Sequence, residues 1–302
     1  MDHFPFSTRL AKRAADRLAQ LAPRYFAEKL TAPFFVIGSA RSGTTLLIDV
    51  LRAHPALSVY PSEANALWHP EGYPWRETAS RNRPPPLWIA PHEFTRASVA
   101  HRTPAQTRAL RAAFGAYQFV TRGRCFANKS AMITFMLPYV QEVFPEARFI
   151  HLVRDGRAVA LSYTKKKKKK IAGTAIYSEE GYDYPFEQML VRMAEHWKDH
   201  IEEVEKQKRA LKLEEQDRLL EIQYERFCSH PERTLQKVVE FMGLRPERMK
   251  HDEYAHVRST NFKFRNELDA ATLRQLTETM EPALSQKGYE AASFQKPSPE
   301  TQ

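Results

Sequence analysis

The chain has 302 residues, 42% of them hydrophobic and 11% aromatic, with 46 Lys and Arg against 36 Asp and Glu for a formal net charge of +10. That is enough apolar material to bury the core of one large α/β domain or two small ones, and it excludes a collagen, a low-complexity chain and a disulfide miniprotein. Only two cysteines occur, Cys125 and Cys228, in neither CxxC nor metal-ligand spacing, so a reduced cytoplasmic location is expected and nothing calls for a metal. Ala131–Val140 is too short for a membrane span and carries Pro138. The positive charge points to an anionic partner: nucleic acid, membrane or a phosphorylated cofactor. The run Lys165–Lys170 supplies six of the ten net charges, which argues against a basic surface built for nucleic acid.

In chain order, residues 1–32 read as a helical extension, with Arg9, Lys12, Arg13, Asp16 and Arg17 spaced among small apolar residues as in an amphipathic helix rather than a signal peptide. Phe34–Ile37, between Pro33 and Gly38, reads as a buried strand. Leu46, Leu47, Val50 and Leu51 then recur at helical spacing until His54-Pro55 ends the pattern. From Pro61 to Pro104 the texture turns irregular, with Trp68, Trp75, Trp88 and a triple proline; it reads either as a substrate lid or as a loop packed by its aromatics. Cys125–Asn128 is a short strand ending at Lys129, Phe135–Phe144 reads helical, and Arg148–Val153 is a third strand followed by a helix from Gly156. Glu187–Leu211 is a long charged helix with Met189, Leu190, Met193, Trp197, Ile201 and Val204 on one stripe. Leu219–Tyr224 is a fourth strand, Pro231 opens a helix that Gly243 stops, and residues 291–302 read as a flexible tail. Strands alternating with helices predict a mainly parallel sheet flanked by helices on both faces, with ligands beyond the carboxyl ends of the strands.

Gly38-Ser39-Ala40-Arg41-Ser42-Gly43-Thr44-Thr45 joins the first strand to its helix. Backbone N–H groups at such a junction make an anion cradle. It resembles a nucleotide P-loop, but the Lys expected before the Ser/Thr pair is absent and the cation sits inside the loop as Arg41. After the third strand, Arg154-Asp155-Gly156-Arg157 with Ser162 offers a guanidinium fork and a hydroxyl for a second phosphate.

These two segments resemble the 5′-phosphosulfate and 3′-phosphate motifs of sulfotransferases that use 3′-phosphoadenosine 5′-phosphosulfate (PAPS). Arg41–Leu46 with His54-Pro55, and Phe144–Arg157, are similar to the tyrosylprotein sulfotransferase branch. The resemblance covers about Pro33 to Tyr289 and implies a P-loop-like three-layer domain over 33–290. It implies that Arg41, Ser42, Gly43, Thr44 and Thr45 bind the 5′-phosphosulfate and that Arg154 and Ser162 bind the 3′-phosphate. Tyr224 matches a tyrosine near the adenine, and Lys263 falls in the C-terminal nucleotide loop, a role that Arg258 or Arg265 would share. Lys165 or Lys166 approximates a further basic residue on the 3′ side.

Sulfuryl transfer needs a base for the acceptor hydroxyl, in-line positioning, and charge stabilisation on the leaving phosphate. Arg41 and Lys129 are the implied cations, the latter in an Asn-Lys pair similar to that of the tyrosylprotein enzymes. Many cytosolic sulfotransferases place a His just after the equivalent lysine and none is near here, whereas the tyrosylprotein enzymes place a Glu after the second strand. That resemblance implies Glu63, downstream of the His-Pro pair and offset by one residue, as the base. His54 reads as a packing or capping residue and His151 as a core histidine. The implied partner is a hydroxyl-bearing acceptor (protein tyrosine, sugar, lipid or small molecule), and a homodimer stays open. The rival readings are a P-loop-like kinase or NTPase and a non-catalytic protein that docks through its lysines.

Overall fold

The computed structural model describes residues 6–68, 103–173 and 185–289. Five strands, β1 (Pro33–Ile37), β2 (Leu57–Val59), β3 (Cys125–Lys129), β4 (Arg148–Val153) and β5 (Leu219–Gln223), form one sheet in the order β2-β3-β1-β4-β5. All four pairings are parallel. Parallel strands need helical crossovers, which cover both faces, so the strands can be apolar throughout. β1 is buried along its whole length. Phe35 and Ile37 point into one core with Phe126 and Phe149, while Phe34 and Val36 point into the other with Ile150 and Leu152.

The first core lies under helices α1 (Phe6–Leu21), α2 (Pro23–Lys29) and α5 (Pro104–Thr121), with α6 (Leu137–Val143) alongside. The second lies under α3 (Thr44–Leu51) and α10 (Pro231–Phe241). A third cluster joins α7 (Gly156–Gly173), α8 (Phe186–Ala210), α11 (Phe262–Glu267), α12 (Ala270–Met280) and α13 (Ala283–Gln286). The short helices α4 (Asn65–Trp68) and α9 (Tyr224–Ser229) complete the described elements, besides 3-10 turns. The predicted stripe of α8 is buried from Met189 to Val204, with Trp197 fully enclosed. The helical reading of the N-terminus holds for residues 6–29, and Ala15, Phe26 and Ala27 add to the first core.

The elements differ from the sequence reading in four places. The helix expected over Phe135–Phe144 is a 3-10 turn (Met132–Met136) followed by α6, because Pro138 lacks an N–H and fits only the first turn of a helix. Tyr224 does not end the fourth predicted strand but starts α9. β2, three residues long, has too little sequence to carry an alternation pattern. Residues 61–64 of the Pro61–Pro104 stretch are irregular, as read, but helices follow at Asn65 and at Pro104. Trp68 closes α4 and is fully buried against Phe35, Phe114 and Phe144, and Pro104 opens α5. The rest of that stretch, 69–102, read as a substrate lid or an aromatic-packed loop, and the tail 291–302 lie outside the described residues.

The order of strands has a direct consequence for the site. The chain leaves β1 first towards β2 and β3, and later returns to β4 and β5 on the other side. Loops at the carboxyl ends of β1 and β4 therefore diverge and leave a crevice.

Candidate active site

The crevice collects the sequence-predicted residues. The loop Gly38–Gly43 leaves β1, Tyr60–Glu63 leaves β2, Lys129 ends β3, Arg154 follows β4 and Tyr224 follows β5. Arg41 holds φ 76° and Gly43 φ 95°, so the loop turns its backbone inwards before α3 starts at Thr44. Ser42 is buried, and its Oγ has no hydrogen-bond partner among the described residues. A buried hydroxyl without a partner is costly, and an anion held by the loop would satisfy it. Thr44 is buried and Thr45 exposed on the first turn of α3.

Gly43 is needed for two reasons. Its φ lies in the left-handed region, and a Cβ there would stand 2.5 Å from Cδ2 of Tyr224. Tyr224 is buried and packs against the anion loop, with its hydroxyl donating to the Arg258 carbonyl at 3.3 Å. Gly43→Ala is expected to cost about 1–3 kcal/mol of stability through strain and overpacking. Thermal unfolding measures that cost; an unchanged Tm would show that the loop can relax.

Arg154 is held on every side. Nε donates to Asn261 Oδ1 at 2.7 Å, Nη1 to the Arg41 carbonyl at 2.9 Å and Nη2 to Thr260 Oγ1 at 3.0 Å. The guanidinium lies 4.4 Å over the Tyr224 ring. Burial draws its pKa down from the ordinary arginine value, while Tyr224 and Glu225 act the other way. An arginine carries five N–H donors, so these three acceptors leave two for an anion. The Arg41 side chain, in turn, donates from Nε to Ser162 Oγ at 3.2 Å. The loop after β1 and the Arg154–Ser162 set are thus contiguous, joined through Arg41, where the sequence suggested separate positions.

Thr260 and Asn261, which hold Arg154, and Glu225, which holds Asn261, were not singled out in the sequence. Glu225 accepts the Asp155 backbone N–H at 3.1 Å, the Asn261 amide, and the Tyr289 hydroxyl at 2.8 Å. It thereby ties β4, α9 and the C-terminal segment together. Asp155 is consumed by structure, its carboxylate accepting from the backbone and guanidinium of Arg157. Gly156 admits Trp197, whose ring atoms would lie 2.6 Å from a Cβ, and Trp197 Nε1 donates to the Arg154 carbonyl at 3.1 Å.

At the other end of the crevice, Lys129 and Glu63 form an ion pair. Asn128 positions it by donating to the Ser62 carbonyl at 2.8 Å, with Trp68 Nε1 on its Oδ1 at 3.4 Å. Lys263 is exposed in the first turn of α11, beside the Thr260–Asn261 segment. Arg258 is exposed, its guanidinium on the carbonyls of Ala255 and Val257, and Arg265 is exposed next to Phe264. Lys165 pairs with Glu267, which ties the base of the lysine run to α11. His54 is buried as expected; Ala56 N–H donates to its Nδ1, which leaves Nε2 to donate to the Arg245 carbonyl.

His151 is fully buried, with Nδ1 3.0 Å from Glu221. Its ring lies 5.6 Å from that of His200, whose two nitrogens have no partner among the described residues. Burial lowers both histidine pKa values, His200 well below the usual range. Glu221, although burial opposes it, is held down to about 2 by His151 and Lys287. Neutral buried histidines contribute stability that is present above pH 6.5 and lost as the unfolded chain takes up protons below it. The slope is at most about 1.4 kcal/mol per pH unit for each proton. Glu221 adds a separate loss from pH 4.5 down to about 2. His200→Leu is expected to flatten the pH 6.5–5 limb of the Tm profile and leave the acid limb; an unchanged upper limb would show that other groups cause it.

A parallel sheet flanked by helices, with a Gly-Ser loop on its central strand and cations gathered at neighbouring strand ends, defines a P-loop-like α/β protein. Residues 33–248 match the profile of the Sulfotransferase family, and the chain belongs to that family. It is 27% identical over 249 residues to protein-tyrosine sulfotransferase 1 of Danio rerio, which covers 78% of this chain and 62% of that protein. It is 29% identical over 117 residues to the protein-tyrosine sulfotransferase of Drosophila melanogaster, covering 39% of this chain and 20% of that protein. The chain thus spans less than two thirds of either relative. The crystal structure of sulfotransferase STF9 from Mycobacterium avium has the same fold, with a TM-score of 0.61 at 14% identity over 93% of this chain and 83% of that one. Sulfotransferase STF1 from Mycobacterium tuberculosis aligns with a TM-score of 0.55 at 16% identity, over 91% and 84%.

Proposed function

We propose that the protein moves a sulfuryl group from PAPS to an acceptor hydroxyl. PAPS supplies the sulfuryl group and leaves as 3′,5′-ADP. The reading rests on one observation above all: in a chain of the Sulfotransferase family, the cradle after β1 and the buried fork of Arg154 lie side by side, bridged by Arg41 and Ser162. In this assignment the backbone of 41–45 and the Ser42 hydroxyl hold the 5′-phosphosulfate. Arg154 and Ser162 hold the 3′-phosphate, with Tyr224 supporting both and Lys263 contributing from α11. Glu63 takes the acceptor proton as the new S–O bond forms and the bond to the 5′-phosphate breaks. Lys129, paired with Glu63, supplies positive charge to the sulfuryl and bridging oxygens.

Calorimetric titration of 3′,5′-ADP tests the nucleotide assignment: tight binding without magnesium is expected, whereas binding of ATP that needs magnesium would return the chain to the NTPase reading. Transfer of labelled sulfate from PAPS into a panel of tyrosine peptides, sugars, lipids and phenols, read by mass, identifies the acceptor class. The tyrosine branch stands first in that panel because the relatives named above act, by name, on protein tyrosine.

A further inference from the structure

At the edge of the sheet opposite the crevice, a cavity of about 290 Å³ is lined by His54, Ala56, Arg124, Leu244, Arg245 and Arg248. Arg124 immediately precedes β3 and Ala56 immediately precedes β2, so the cavity opens at the amino ends of strands whose carboxyl ends face the active site. Three arginines therefore meet in one hollow. Among the described residues, no carboxylate lies within ion-pair distance of any of them, and Glu247, on the same 3-10 turn as Arg248, is no exception.

The backbone that carries these arginines is held by hydrogen bonds. The Ala56 carbonyl accepts the N–H groups of Arg124 at 2.8 Å and Cys125 at 3.2 Å. The buried His54 ring joins Ala56 to the Arg245 carbonyl, with 3.2 Å to the first and 3.1 Å to the second. The Arg245 carbonyl also accepts the Arg248 N–H at 3.2 Å, which closes the turn that brings both guanidinium stems to the same side. Like charges gathered without counter-charge repel one another, and a polyanion removes that cost. Guanidinium groups also match oxyanions through paired N–H donors. The volume is at the low end of ligand cavities, about 300 Å³ and upwards, which suits one or two phosphate-sized groups rather than a whole nucleotide.

We propose that this arginine-lined cavity is a second anion site that binds a small, multiply charged oxyanion such as phosphate, pyrophosphate or sulfate. It stands apart from the active-site crevice and uses none of its residues. The test is calorimetric titration of pyrophosphate into the full-length protein, into Arg245→Gln/Arg248→Gln, into Arg154→Ala, and into the charge-matched control Lys206→Gln/Arg233→Gln. Separate titrations with inorganic phosphate and sulfate rank the oxyanions. The three arginines are exposed, so the double variant is expected to fold as the parent does, and its Tm checks this. Affinity for pyrophosphate is expected to fall at least tenfold in the arginine double variant, and to be kept in Arg154→Ala and in the control. Absence of binding to the parent, equal affinity in all four proteins, or loss in Arg154→Ala with retention in the double variant would overturn the assignment.

Discussion

Replacing Arg154 by Ala is expected to weaken 3′,5′-ADP binding by about a hundredfold or more. The two N–H donors that the protein leaves on Arg154 would bond a charged phosphate, and bonds of that kind contribute about 1.5–3 kcal/mol each. Two of them correspond to roughly 3 kcal/mol at the lower bound, and about 1.4 kcal/mol is a factor of ten. The arginine is also already held: Asn261, Thr260, the Arg41 carbonyl and the Tyr224 ring restrain it, so little further ordering is needed on binding. Arg154→Lys keeps the charge but loses the fork and the three restraints, and should fall between parent and Ala. Titration calorimetry without magnesium reads both variants. Equal affinity for parent and Arg154→Ala would remove the 3′-phosphate from this position.

Glu63→Gln is expected to leave 3′,5′-ADP affinity unchanged and to lower kcat by about 10²–10⁴-fold, the usual contribution of a positioned general base. The expectation follows from placement: Glu63 lies at the β2 end of the crevice, against Lys129, and away from the residues that hold Arg154. The amide keeps the side-chain volume, so a folding defect would not imitate the loss. Single-turnover sulfate transfer, with nucleotide affinity measured in parallel, separates the two effects. Full turnover in Glu63→Gln would reject it as the base. Lys129→Met should lower kcat as well, since it removes the cation from the same pair.

Much of the fold could be read from residue order because its strands are buried on both faces. Phe34–Ile37, between Pro33 and Gly38, and Arg148–Val153, which runs into Arg154-Asp155-Gly156, carry their own boundaries. The long stripe of α8 likewise fixes its inward face. β2 was not legible, since three residues hold no period and only pairing with β3 makes them a strand. α5 was missed for another reason. Its signal was present: Thr103 accepts the Gln106 N–H while the Gln106 side chain accepts that of Thr103, with Pro104 between. The proline- and tryptophan-rich stretch before it masked that capping box.

The site divides in the same way. Residue order alone determined the chemistry of the strand ends: a Gly-Ser loop with an internal arginine, an Asn-Lys pair, and an Arg eight places ahead of Ser162. Those are local patterns, and local patterns survive without knowledge of the fold. Tertiary structure alone decided how they meet. The strand order β2-β3-β1-β4-β5 put Glu63, Lys129, Arg41 and Arg154 at one edge, though 113 residues separate Arg41 from Arg154. It also brought in Thr260, Asn261 and Glu225, whose hydrogen bonds to and around Arg154 span up to 107 residues of chain. A short side chain such as Asn or Thr has no sequence signature for such a role, because its partner is set by packing rather than by spacing.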